Sequence, residues 1–236
     1  MISCPVCQTQ NHHLAVKCKS CGGYIQTKIE NLDLFTTAWN VLERPSHAFH
    51  TIAVAQHKNY SVIIPAISGV AITFFYFWIV KAGEATNSLI NFLAAGLAVS
   101  PFVGIATSLI IALLLKLTVI ATGRHVSFRN AFSVIAYTQI PLVISVILVF
   151  PLELMTFGLF FFTTNPSPYQ LKPIPYMLLI GLDGLFTFWS FLLVWFGIRK
   201  LTDGGRLYSF LVYCMVSLVI TGLVFVLSHF ALSPVR

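Results

Sequence analysis

The chain has 236 residues, 57% of them hydrophobic and only 9% charged, with a mean hydropathy of +0.86. A soluble domain carries about 25% charged residues, so this composition excludes a water-soluble globule and puts most of the chain in lipid. The formal net charge of +7 does not indicate nucleic acid, because the basic residues sit in short loops beside apolar runs, as membrane topology demands.

The first 28 residues are polar and hold two CxxC pairs, Cys4-Pro-Val-Cys7 and Cys18-Lys-Ser-Cys21. Zinc takes four ligands in a tetrahedron, and one CxxC turn places two thiolates on one ion. Gly22 and Gly23 follow the second pair and supply the positive φ that such turns use. A segment this short has no core, so metal binding supplies its folding energy. The spacing predicts a zinc ribbon over residues 1–28 with Cys4, Cys7, Cys18 and Cys21 as ligands. His12 and His13 lie between the pairs and are expected to face solvent. Four protein thiolates leave no open position, so the zinc is structural.

Residues 29–60 read as two amphipathic helices at the membrane interface. Leu32, Phe35, Ala38, Trp39 and Leu42 form the apolar face of the first, at helical spacing. Pro45 ends it and opens the second. His47, His50 and His57 share one side there and read as headgroup-level histidines. No basic start leads directly into an apolar core, so the first span is expected to be a retained signal-anchor.

Residues 61–236 predict five transmembrane helices, at about 61–80, 92–120, 131–152, 176–198 and 207–232. Twenty helical residues cover about 30 Å, the thickness of the hydrocarbon core. Lys17, Lys19, Lys28, Arg44 and Lys58 precede the first span. Lys116, Arg124 and Arg129 surround the second turn, and Arg199, Lys200 and Arg206 the fourth. The opposite side has only Lys81, Lys172 and Arg236. The positive-inside rule then predicts a cytoplasmic N-terminus and an external C-terminus. A reducing cytoplasm suits thiolate ligands. Residues 154–162 are too short to span. They read as an interfacial or re-entrant piece, or as a continuation of a third helix kinked at Pro151.

Within the membrane, Asp183 sits seven residues into the fourth span, where a charge costs about 2.5–3.5 kcal/mol. Gly181 and Gly184 beside it are expected to let a neighbouring helix approach. The expected partner of Asp183 is Tyr137, Gln139 or a serine, with Glu153 at the outer headgroups. Asp183, Glu153 and Tyr137 thus form a candidate intramembrane polar site, for structure or for handling an ion. Gly69, Gly96, Gly104 and Gly222 fit close helix contacts. Cys214 and His229 are lone residues that read as packing. The metalloprotease, esterase and phosphate-loop motifs are absent from the sequence, so no catalytic residue is predicted.

Residues 122–141 resemble the central motif of the Yip family, the Ypt/Rab-interacting membrane proteins and their prokaryotic relatives. Gly123, Arg124, Ser127, Phe128, Ala136, Tyr137 and Pro141 carry the likeness, and Arg44-Pro45-Ser-His-Ala-Phe49 resembles the family's helix before the first span. The likeness covers about residues 35–232. It implies a five-helix bundle with a cytoplasmic N-terminus, in a family most of whose members have no assigned activity. Eukaryotic members act with small GTPases in vesicle traffic, and some bacterial ones are linked to exporters or envelope stress. The ribbon departs from the eukaryotic pattern and implies a prokaryotic cell-membrane protein. The expected function is a scaffold or accessory protein with a zinc-ribbon docking module, in trafficking, export or envelope homeostasis. Its expected partners are the lipid bilayer and another membrane protein or a second copy. The alternative is a small transporter or channel using Asp183 and Glu153.

Overall fold

A computed structural model describes residues 1–27, 29–202 and 205–218. The chain opens with a two-stranded hairpin, β1 (Ile2–Ser3) and β2 (Gln10–Asn11), antiparallel with Ile2 opposite Asn11. Helices follow: α1 (Leu34–Glu43), α2 (Pro45–Val54), α3 (Ile63–Val80), α4 (Leu89–Ala121), α5 (Phe128–Thr138), α6 (Ile140–Phe157), α7 (Pro168–Leu171) and α8 (Pro173–Thr202). A shorter apolar helix, α9, covers Arg206–Leu218. The remainder of the predicted fifth span, the external C-terminus, Gly222 and His229 lie outside the described residues.

Four segments are long and apolar enough to cross a membrane: Ile63–Val80, Leu89–Ala121, Phe128–Phe162 and Pro173–Thr202. The 18 residues of α3 rise about 27 Å, whereas the 33 of α4 and 30 of α8 rise about 50 and 45 Å. Near the ribbon, α4 packs with α5, α8 with α2 and α5, and α1 with α2. The buried cluster at this level includes Phe49, Ile52, Leu115, Val119, Val134, Ile135, Leu193 and Ile198.

This layer changes the reading of the lead-in. Phe49 and Ile52 are fully buried, so one face of α2 packs into the protein core. On α1 the buried positions are Thr37 and Val41, while Phe35 and Trp39 are exposed. The contact with α2 selects a different face of α1 from the one the aromatic spacing suggested.

The third span is broken between α5 and α6. Pro141 lies in the first turn of α6, where a missing N–H costs nothing. Three other helices reach the break. Gln139 Nε2 donates to Ser108 Oγ of α4 at 2.6 Å, and its Oε1 accepts from Ser68 Oγ of α3. Ser190 Oγ of α8 donates to the Thr138 carbonyl at 2.7 Å. These bonds satisfy polar groups that lipid cannot. Residues 154–162 continue the third helix, one of the two expected readings: α6 runs through Pro151 to Phe157 and is followed by a 3₁₀ turn, Gly158–Phe162. Phe161 and Phe162 are buried there against Phe74 and Phe92. The far-side loops are tied together by Thr164 N donating to Glu84 Oε1 at 2.9 Å.

Helices α3 and α4 cross at Gly69 and Gly104. A Cβ on Gly69 would lie 2.0 Å from the Ser100 carbonyl oxygen. The backbones touch with no side chain between them, as small residues allow in lipid.

Candidate metal centre and buried polar site

The ribbon brings all four cysteines together, with their sulfur atoms within 4.8 Å of one another. Cys4 Sγ and Cys21 Sγ are 3.6 Å apart, and Cys7 Sγ and Cys18 Sγ 3.5 Å apart. A tetrahedral ion with metal–sulfur bonds of about 2.3 Å needs sulfur edges of about 3.8 Å, so the cluster has the dimensions to hold one metal ion. Among the described residues it is the only group of three or more histidines, cysteines or carboxylates placed to do so. His47, His50 and His57 do not form a second one.

The two CxxC turns are built alike. Gln8 N donates to Cys4 O at 2.9 Å and Gly22 N to Cys18 O at 3.1 Å. The residue after each second cysteine has a left-handed backbone, Gln8 at φ 58° and Gly22 at φ 71°. Glycine takes this conformation freely and glutamine at a cost. Gly23 does not need positive φ. Asn11 Nδ2 donates to Cys18 Sγ at 3.5 Å and Ser20 N at 3.4 Å. The Cys21 and Ser20 amides hold the Cys18 thiol down at about 6. At Cys21 the lowering by the Gly23 amide is outweighed by the Cys7 thiol, burial and the Cys4 and Cys18 thiols, and the group is pushed up to about 12. Four bare thiolates would repel one another, and a bound cation removes that repulsion.

The ribbon is seated on the helices. His13 Nε2 meets the Lys200 carbonyl at the end of α8, 3.2 Å away. Gln26 Nε2 holds the His13 carbonyl at 2.8 Å and the Ala15 carbonyl at 3.1 Å. Leu14 and Ile29 rest on the ribbon-side core. Contrary to expectation, His13 is therefore not a solvent histidine. His12 is exposed and lines a cavity of about 400 Å³ with Leu14, His125, Ser127, Asn130 and Leu201.

The basic turn between α4 and α5 works inside the molecule. Arg124 Nη1 donates to the Thr202 carbonyl at 2.6 Å, capping α8, with the guanidinium 4.4 Å from the Tyr208 ring centre. Arg129 Nη2 donates to the Gln56 carbonyl at 2.6 Å. Lys58 Nζ caps α2 through the Ile52, Ala53 and Ala55 carbonyls. Burial, reinforced by Arg129, holds its ammonium down at about 8.

The intramembrane candidates separate. Tyr137 does not meet Asp183; its hydroxyl donates to the Asn59 carbonyl, tying α5 to the start of α3. Asp183 accepts the Ser145 hydroxyl of α6, the serine among its expected partners. Glu153 is buried at 3% exposure, within α6, which continues past it for another turn. Gly181 and Gly184 touch no neighbouring helix among the described residues. Sequence reasoning did not single out Ser68, Ser108, Ser145 and Ser190. Isolated serines in apolar runs signal nothing until the helices facing them are known.

Four membrane-length helices, a helical layer on one side and a four-cysteine cluster with the dimensions of a metal site define a polytopic membrane protein. The chain belongs to the Yip1 domain family, whose match covers residues 39–228. That match begins inside α1 and leaves out the ribbon. Comparison with curated proteins and with solved structures returned no match.

Proposed function

We propose that this Yip1-domain protein is a non-enzymatic membrane scaffold or accessory subunit, with its ribbon as a zinc-bound docking module on the cytoplasmic side. The carrying observation is the convergence of four thiols on one point. A tetrahedral zinc held by four protein sulfurs has no position left for substrate, so the metal shapes a surface instead of reacting. That surface exposes Val6 and Tyr24 to solvent.

The cytoplasmic orientation is supported by the basic residues on the ribbon side and by the free thiols, which a reducing compartment preserves. Within that orientation the partner is another membrane protein, in trafficking, export or envelope homeostasis, and the setting is a prokaryotic cell membrane. Cross-linking in native membranes tests the docking role, comparing the wild type with Cys4→Ser. Loss of the cross-linked partner from a variant that still inserts supports docking. Retention of the partner by a variant verified free of zinc overturns it.

A further inference from the structure

Helix α1 has two unlike faces. Thr37 and Val41 are buried against the protein, whereas Phe35 is 83% and Trp39 67% exposed. The two aromatic residues lie one turn apart on the same side of the helix. The contacts of α1 fix its height. Just ahead of it, the Glu30 carbonyl accepts the His57 amide at 2.9 Å, close before the start of α3. From this ribbon side α1 packs on α2 and also reaches α5 and α6. The near end of α6 lies inside the membrane layer. Gln139, directly before it, bonds Ser68, five residues into α3 and so about 7.5 Å below the start of that helix. The 18 residues of α3 only just cover a hydrocarbon core of about 30 Å, so the start of α3 marks the edge of that core. A helix that touches α6 from the ribbon side lies at this edge, and its outward face does not look into open water.

We propose that the Phe35–Trp39 face of α1 is a lipid-binding surface, inserted at the boundary between headgroups and acyl chains, which moors the ribbon-side layer to the bilayer. Two aromatic side chains bury about 150–250 Å² each, well short of the roughly 800 Å² per partner that a stable protein interface needs. The patch is large enough for lipid and too small for a protein. Its chemistry suits that boundary, where amphipathic rings collect. Trp39 Nε1 donates to Glu43 Oε2 at 2.9 Å, so the indole enters the boundary with its one donor satisfied. Glu43 and Arg44, paired at 3.6 Å, follow at the end of the helix, where charge can stay among the headgroups. The inference rests on the membrane fold and is independent of the ribbon's metal and of its docking role.

The test uses the full chain in native membranes, with Phe35→benzoylphenylalanine as a photo-cross-linker. Irradiation should give a phospholipid mass adduct at residue 35. Phe102→benzoylphenylalanine is the positive control, since Phe102 is 74% exposed on the spanning helix α4. Lys19→benzoylphenylalanine is the negative control, on the exposed surface of the ribbon. A second measurement isolates the emission of Trp39 as the difference between the wild type and Trp39→Phe in nanodiscs. Lipid brominated near the headgroup end of its chains should remove most of that emission, and aqueous iodide little of it. A lipid adduct at residue 102 but none at residue 35 would overturn the proposal. So would an adduct to another protein in place of lipid, or Trp39 emission quenched by iodide and not by brominated lipid.

Discussion

Gly104 of α4 faces Gly69 of α3 so closely that a Cβ on Gly104 would lie 2.7 Å from the Gly69 Cα and 1.9 Å from the Pro65 carbonyl oxygen. Both obstacles are backbone, which cannot rotate away. Gly104→Ala should cost about 1–3 kcal/mol, the range for overpacking, and Gly104→Leu should separate the helices. Gly181→Ala is the control, because nothing described lies within 4 Å of it. Thermal unfolding in detergent should show a lowered midpoint for Gly104→Ala and almost none for Gly181→Ala.

Gln139 holds the α5–α6 break to α3 and α4 through Ser68 and Ser108. Gln139→Leu keeps the volume and removes both bonds, although Ser108 retains its bond to the Gly104 carbonyl at 2.8 Å. The expected loss is about 1–3 kcal/mol, the cost of orphaning buried polar groups. Denaturation of the variant in detergent against Ser108→Ala gives the measurement. A loss in Gln139→Leu no larger than in Ser108→Ala would deny it the role of hub.

Removing the metal should unfold the ribbon, since 28 residues have no other core. One zinc per chain is expected by elemental analysis, and none in Cys4→Ser. Hydrogen exchange after chelation should lose protection at Cys4, Cys18 and Gly22, whose amides bond within the two turns. The amides of α3 and α6 should keep theirs. Acid should release the metal as well, because protons compete for the thiolates.

Lys58 gives a pH prediction with a definite sign. Its ammonium is held at about 8 in the folded chain against an ordinary 10.5, by burial and then by Arg129. Between those two values the unfolded chain binds more protons, so stability rises with pH there. Below 8 both states are protonated and the burial cost is felt in full. The wild type should therefore gain stability relative to Lys58→Gln between pH 8 and 10.5, read as the difference in thermal midpoints. An unchanged difference across that window would contradict the assignment.

The sequence already contained the class of this protein. Apolar runs of bilayer length fold as helices because lipid offers no partner to the backbone. Two CxxC pairs declare a four-thiol cluster because the ligands are local to each turn. The Gly123 to Pro141 motif carried the family, and the family match then extended over most of the chain. Each of these signals is one-dimensional and needs no knowledge of what lies across a helix interface.

The tertiary structure decided which polar groups meet. His13 reached α8 only because the ribbon seats on it, and Tyr137 found Asn59 because α5 lies beside the chain leading into α3. Asp183 met Ser145 because α6 and α8 pack side by side. Phe35 and Trp39 faced outward because α2, not the membrane pattern, chose the buried side of α1. Helices of uniform hydrophobicity have no preferred face of their own, so their rotation is set by small residues and a few hydrogen bonds. Those choices depend on pairs of residues far apart in the chain, and only the packed bundle brings them together.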